Sequence, residues 1–85
     1  MAIYLISYDL LDPLKEPALL EYLKNATMAT KSSYLLNTGM PPEQVVTRIR
    51  SVTADRANVY VLTIAPPYSG WGPPDVNQWL QTHLG

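Results

Sequence analysis

Eight prolines divide this 85-residue chain into short segments, and their positions limit its secondary structure more than any other feature. Proline lacks the backbone N–H that a helix interior or a sheet ladder needs, but it fits the first turn of a helix. Adjacent pairs stand at positions 41–42, 66–67 and 73–74, and single prolines stand at 13 and 17. Helices are therefore expected to begin at prolines, and strands to lie in the proline-free stretches.

Three proline-free stretches have the β-branched and aromatic residues that are typical of strands. The first strand is predicted at about Ile3 to Asp9, where apolar residues on both faces indicate a strand that is covered on two sides. The second is predicted at Lys31 to Thr38. The third is predicted at Ala57 to Ile64, directly after a turn at Asp55-Arg56.

Three amphipathic segments predict helices. The first begins at Pro17, because a helix that began earlier would hold this ring in its interior at a cost of about 3 kcal/mol. It is expected to fray through Thr27 to Thr30, where threonines lower helix propensity. The second begins at Pro41-Pro42. The third covers 74–84, after a stiff Pro/Gly-rich loop at 65–74.

The order of these segments is strand, helix, strand, helix, strand, loop, helix. It predicts a single α+β domain over residues 1–85, with a small ferredoxin-like antiparallel sheet and helices packed on one face. A chain of this size removes only about 60% of its unfolded surface from water on folding. Because three strands would leave one sheet face bare, we expect a homodimer that stacks the two bare faces.

Composition excludes several classes of function. The chain has no cysteine, which removes disulfides, thiolate zinc sites and cysteine nucleophiles. Its formal net charge of −1 gives no strong attraction to nucleic acid or to an anionic membrane. No apolar run approaches the roughly 20 residues of a membrane span, and the start lacks the basic region of a signal peptide. A cytoplasmic protein is therefore expected.

The best candidate for chemistry is Asp9, at the carboxyl end of the first strand, where ligands collect in open sheets. One aspartate holds a hard divalent cation only weakly, so a magnesium site would combine Asp9 of two subunits with phosphate oxygens. The alternative is that Asp9 caps the turn before Pro13 or binds Arg56. The only histidine, His83, lies near the C-terminus and supplies no base for a Ser-His-Asp triad.

Other polar and aromatic residues are candidates for ligand binding. The strand serines Ser7, Ser32 and Ser33 could donate hydrogen bonds to a phosphate, and Arg56 adds a positive charge. Trp71, in the Pro/Gly-rich loop, could stack on a base. The alternative is that Trp71 packs over the core or against a partner subunit.

Short motifs spread over nearly the whole chain resemble one known family. They are Tyr8-Asp9-Leu10, Ser32 to Tyr34, Asp55-Arg56, Val59-Tyr60-Val61, Gly70-Trp71-Gly72 and Trp79-Leu80. Together they resemble the small CRISPR-associated adaptation-subunit endoribonucleases, and within them the SinR-like branch. The resemblance implies a ferredoxin-like homodimer in which Asp9 binds magnesium near the dimer cleft, with Ser32 or Ser33 as the matching serine.

Three functions fit these features. The first is a magnesium-dependent endoribonuclease or phosphodiesterase, with Asp9 as catalytic residue and metal ligand. The second is a binding protein that holds a nucleotide without cleaving it, as a phage anti-defence sponge would. The third is a structural adaptor dimer. Near-neutral charge disfavours long polynucleotides but permits a small anionic ligand. We therefore expect a homodimer that binds nucleotide or nucleic-acid phosphates at the dimer cleft, with ligand contacts from Ser7, Ser32, Ser33, Arg56 and Trp71.

Overall fold

The computed structural model describes every residue from Met1 to Gly85 and contains one four-stranded antiparallel sheet with three α-helices. The strands are β1 (Ala2–Leu10), β2 (Thr27–Thr30), β3 (Ser33–Thr38) and β4 (Ala57–Thr63), in the spatial order β2-β3-β1-β4. The helices are α1 (Glu16–Tyr22), α2 (Pro42–Val52) and α3 (Pro74–Leu84). The chain therefore has an α+β fold, and the order βαββαβ up to β4 is that of a ferredoxin-like sandwich.

The expected fold class is confirmed, with one strand more than the sequence predicted. The prediction of a fraying helix at Thr27–Thr30 is wrong, because these residues form β2. Threonine is β-branched and favours strands once a neighbouring strand is present to pair with. A 3₁₀ turn at Pro13–Lys15 leads into α1, so Pro17 is the second residue of that helix rather than the first.

The main core lies between one face of the sheet and helices α1 and α2, and we call this face the helix-covered face. Successive residues of a strand point to opposite faces, and alternate residues of β1 enter this core. Burying each large apolar side chain here contributes about 1.5–3 kcal/mol. The core residues are at most 3% exposed, and they are Tyr4, Ile6, Leu19, Leu23, Val45 and Ile49.

The opposite face of the sheet, which we call the second face, is covered by α3 over only part of its width. Leu35 of β3 pairs with Leu5 of β1 and so points to this face. It is 3% exposed although it lies outside the main core. Helix α3 contacts β2, and its own Val76 is 7% exposed. Helices α1 and α2 thus share one face as expected, whereas α3 packs on the β2 side of the other.

The β1–β4 half of the second face stays open. Tyr60 is 72% exposed and Leu62 is 49% exposed, both on β4. The sequence predicted an entirely bare face, and that is wrong, because a fourth strand widens the sheet and the C-terminal segment folds over part of it.

None of the helices has the length and apolar character needed to cross a membrane.

Candidate functional site

A row of hydroxyl groups crosses the whole second face. Thr30 of β2 pairs with Ser33 of β3, and Ser33 pairs with Ser7 of β1. Ser7 pairs in turn with Tyr60 of β4. Residues paired in this way on one face have Cβ atoms about 5 Å apart. The side-chain oxygens of Thr30 and Ser33 are 2.6 Å apart, so both point the same way. We call these four residues the hydroxyl row.

A β-bulge in β2 brings Thr30 into the hydroxyl row. Thr27 and Met28 pair in register with β3, but the register then shifts, and Thr30 pairs with Ser33. In a regular ladder Ala29 would take that position, because Met28 is paired with the residue that follows Ser33. The extra residue of a bulge re-aims the side chains that follow it. Without the bulge, the β2 end of the row would hold a methyl group instead of a hydroxyl.

Charged residues lie at the same end of the sheet as the hydroxyl row. Asp9 is on the second face, one row further along β1, and pairs with Asn58. Lys31 lies in the turn between β2 and β3, and Arg56 directly precedes β4. The ion pairs of the chain join other residues, so Asp9, Lys31 and Arg56 are all without an ionic partner. Two exposed cations and one exposed carboxylate therefore border the row.

Trp71 lies beside the β2 end of the hydroxyl row. Its side chain is 102% exposed. With Ala29, Thr30, Val76 and Leu80 it lines a depression of about 150 Å³. This exposure excludes the alternative that Trp71 packs over the core of its own chain. One face of the indole is available to stack on a planar ligand.

Most of the site residues predicted from the sequence lie at one end of the sheet. Ser32 is different, because it lies in the tight turn between β2 and β3, where its carbonyl accepts a hydrogen bond from the Tyr8 N–H at 3.0 Å. Its backbone holds the turn against β1, and Ser33 rather than Ser32 has its side chain in the row. The residues that the structure brings to this end are Ser7, Asp9, Ser33, Arg56 and Trp71.

Sequence reasoning missed Thr30, Lys31 and Tyr60 as residues of this region. Thr30 was missed because β2 was predicted as the end of a helix. Tyr60 was missed because its partner depends on the register between β1 and β4, which turn geometry and the whole hydrophobic pattern set together. The β-branched threonines that flank Met28 and Ala29 are the one signal that could have indicated a strand.

The residues at this site do not fit a metal ion held by one chain. No group of three or more His, Cys, Asp or Glu side chains is placed to bind a metal. Magnesium is usually bound by one or two carboxylates together with phosphate oxygens and water. Asp9 is the only carboxylate of the site, so the magnesium site that the resemblance implies would need Asp9 of a second subunit. We derive no reaction step through a metal.

Two tyrosines with perturbed hydroxyls lie away from the hydroxyl row, on the core side of the sheet. Burial raises the pKa of the Tyr8 hydroxyl, and Tyr34 and Glu16 raise it further. Burial also raises the pKa of Tyr22, and the Arg48 guanidinium offsets part of that rise. Both hydroxyls stay protonated at neutral pH and act as packing groups.

Comparisons with protein-family models, with curated proteins and with solved structures find no significant match to this chain. The resemblance to the SinR-like branch therefore stays a prediction from short motifs.

Proposed function

We propose that this chain binds a small phosphate-bearing ligand of the nucleotide class at the hydroxyl row, without cleaving it. The observation that carries this proposal is the row itself, in which four strands each present one hydroxyl residue on the second face. Thr30 and Ser33 hydrogen-bond to each other, which uses one of their two protons, so the row keeps three donors for phosphate oxygens. Three strand spacings make the row roughly 14 Å long, enough for a phosphate group and a sugar.

The charges around the row favour a small anion over a long polynucleotide. Lys31 and Arg56 each carry a positive charge and Asp9 carries a negative one, so the site has a small net positive charge. Tight binding of a polynucleotide usually needs many phosphate contacts from lysine and arginine. A single nucleotide or dinucleotide needs only a few donors, which this end of the sheet can supply.

Trp71 gives such a ligand a surface for its base. The indole is fully exposed at the β2 end of the row. Stacking of a base on an aromatic side chain contributes about 1–3 kcal/mol in single-stranded nucleic-acid complexes. A ligand with its phosphate over Ser7 and Ser33 and its base over Trp71 would use both features of the site.

Turnover is not part of the proposal, because the site lacks a complete set of catalytic groups. General acid–base chemistry needs a base within hydrogen-bonding reach of the reacting proton. Asp9 is a single carboxylate, and His83 is on α3, where its ring stacks on Trp79 with centroids 3.9 Å apart. The endoribonuclease alternative needs two Asp9 carboxylates in one site. Binding without cleavage is what a sponge for a nucleotide messenger requires.

A homodimer in the cytoplasm is the form in which we propose that the chain works. The observation that favours self-association is the open apolar strip on β4, where Tyr60 and Leu62 are 72% and 49% exposed. An exposed tyrosine next to an exposed leucine is typical of interfaces. The same strip also supports a structural adaptor dimer as a second candidate function.

Titration calorimetry with mononucleotides, cyclic dinucleotides and short RNA, with and without magnesium, tests the binding proposal. We expect saturable binding of a small nucleotide and no product. Replacing Ser7 by alanine removes one hydrogen bond to a charged phosphate oxygen, worth about 1.5 kcal/mol or more, so Ser7→Ala should weaken binding at least about tenfold. Lys31→Gln removes a charge and should weaken binding about tenfold, with a smaller dependence on salt.

Ser51→Ala is the matched control, because Ser51 is an exposed serine on α2, away from the second face. The Ser51→Ala variant should bind the nucleotide with the same affinity as the unsubstituted chain. Absence of binding across the panel, or equal losses in Ser51→Ala and Ser7→Ala, would contradict the proposal. Cleavage of RNA that disappears in Asp9→Asn would favour the endoribonuclease alternative instead.

A further inference from the structure

Strand β4 is an outer strand of the sheet without the usual protection of an exposed edge. It runs from Ala57 to Thr63 with no proline and no charged residue, and its pairing with β1 has no bulge. The other outer strand, β2, has only four residues, contains a bulge, and lies against α3. Natural sheets protect their edges with short strands, bulges, charges or a covering element. One edge of this sheet is protected in this way and the other is open.

The hydrogen-bonding pattern identifies which backbone groups of β4 are free. The Ile64 N–H donates to the Ile3 carbonyl at 2.9 Å, and the Leu11 N–H donates to the Arg56 carbonyl at 2.8 Å. In an antiparallel ladder, residues that bond to the neighbouring strand alternate with residues whose groups point away from it. The even-numbered positions of β4 therefore bond to β1, and the groups that point outward belong to Ala57, Val59, Val61 and Thr63.

We propose that a second copy of this chain pairs with β4 through this edge, antiparallel and centred on Tyr60. This inference rests on the homodimer proposed above and assigns its interface. In this register Val59 pairs with the partner's Val61, and Ala57 pairs with the partner's Thr63. Every outward-facing residue of the strand then meets another outward-facing residue, which yields about eight hydrogen bonds. Other two-fold registers leave at least one of these residues without a partner.

The side chains of β4 suit the same register. On the second face, Tyr60 lies opposite the partner's Tyr60, and Leu62 lies opposite the partner's Asn58. On the helix-covered face, Val59 and Val61 form cross-strand pairs of β-branched residues, which stabilise antiparallel ladders. The exposed Tyr60 and Leu62 side chains gain neighbours across the new strand pair, while the second face itself stays open.

The dimer joins the two ligand sites but does not create a shared metal site. Tyr60 is the β4 end of each hydroxyl row, so the two rows meet at the two-fold axis and continue across both sheets. The two Asp9 carboxylates are three strand spacings apart and offset by four residues, which makes their separation roughly 20 Å. A single magnesium ion cannot bridge that distance. The inferred interface therefore supports nucleotide binding and not paired-carboxylate catalysis.

Cysteine cross-linking tests the register directly, because the natural chain has no cysteine. Residues opposite each other in a pair without mutual hydrogen bonds have Cα atoms about 4.5 Å apart, within the range of a disulfide. Tyr60→Cys should therefore form a covalent dimer under mild oxidation. Asn58→Cys alone and Leu62→Cys alone should not, since each lies about 14 Å from its own copy. A mixture of Asn58→Cys and Leu62→Cys should form the disulfide-linked heterodimer.

Sedimentation velocity of the unsubstituted chain over a range of concentrations separates the possible failures. A chain that stays monomeric at every concentration, with no cross-link in Tyr60→Cys, would overturn both the homodimer and its interface. A dimer that cross-links equally well through Asn58→Cys alone would overturn the register and leave the homodimer standing. Circular dichroism of each variant checks folding, and Tyr60, Asn58 and Leu62 are all exposed, where substitutions usually change stability little.

Discussion

The buried polar groups of this chain are all satisfied, which makes the free ones at the surface informative. The Thr53 hydroxyl is 0% exposed and donates to the Ile49 carbonyl at 2.7 Å. The Tyr4 hydroxyl donates to the Met40 carbonyl at 2.7 Å. No buried side-chain nitrogen or oxygen lacks a partner. The core uses its polar groups for its own hydrogen bonds. In the hydroxyl row only Thr30 and Ser33 bond to each other, so the row keeps donors for a ligand.

At the residue scale, the raised pKa of the Tyr8 hydroxyl predicts that the folded chain loses stability in alkali. Burial raises its pKa above the ordinary value of 10.0, with Tyr34 and Glu16 adding to the rise. A group whose pKa is higher in the folded than in the unfolded state stabilises the fold at pH values below its unfolded pKa. This contribution is lost as the pH rises through its folded pKa. Between pH 9 and pH 11, a range that brackets the pKa of tyrosine in the unfolded chain, the free energy of unfolding should fall less in Tyr8→Phe than in the unsubstituted chain.

Urea unfolding at several pH values measures this difference. Tyr68→Phe controls for the loss of a tyrosine hydroxyl, because Tyr68 lies in the loop between β4 and α3 and is 44% exposed. Identical pH dependence in Tyr8→Phe and the unsubstituted chain would contradict the prediction. The test needs no ligand, so it examines the structure of the helix-covered face alone.

At the scale of elements, the proline positions predicted the helices well, and the sheet only in part. Pro42 and Pro74 begin α2 and α3, because a proline ring fits the first turn. Strand β2 escaped prediction, since four residues are too short to show a period and threonine also occurs in frayed helix ends. Its bulge, which places Thr30 in the site, depends on pairing with β3 and is absent from any local pattern.

Pairing between distant segments also explains why the site could be predicted only in part. Ser7 and Asp9 could be placed on one face from strand alternation alone. Tyr60 joins them through a register between segments some fifty residues apart along the chain. The position of α3 could not be predicted either, because its apolar residues fit either face of the sheet.

Helix α3 should depend on Val76 for its attachment to the second face. Val76 is 7% exposed, and an aspartate there would put a charge into an apolar contact, which is costly. In Val76→Asp we expect hydrogen exchange of the α3 amides to become at least tenfold faster, while exchange in β1 changes little. Gln78→Asp, at an exposed position of the same helix, is the control. Unchanged protection of α3 in Val76→Asp would contradict this packing.

At the scale of the whole molecule, the two faces of the sheet have different roles. The helix-covered face holds nearly all of the fully buried residues and provides most of the stability. The second face is half covered by α3 and presents hydroxyls, charges and an exposed indole at its open end. Strand β4 belongs to both parts, because its Val59 and Val61 pack on the core while Tyr60 ends the hydroxyl row.

Amide chemical-shift mapping during titration with a cyclic dinucleotide and with a mononucleotide tests the ligand site most directly. For whichever nucleotide binds, we expect the largest shifts at Thr30, Ser33, Ser7 and Tyr60, together with the indole N–H of Trp71. The amides around Thr47 and Ser51, exposed residues of α2 on the other side of the sheet, should stay unchanged. Shifts confined to α2, or no shifts at millimolar ligand, would contradict a nucleotide site on the second face.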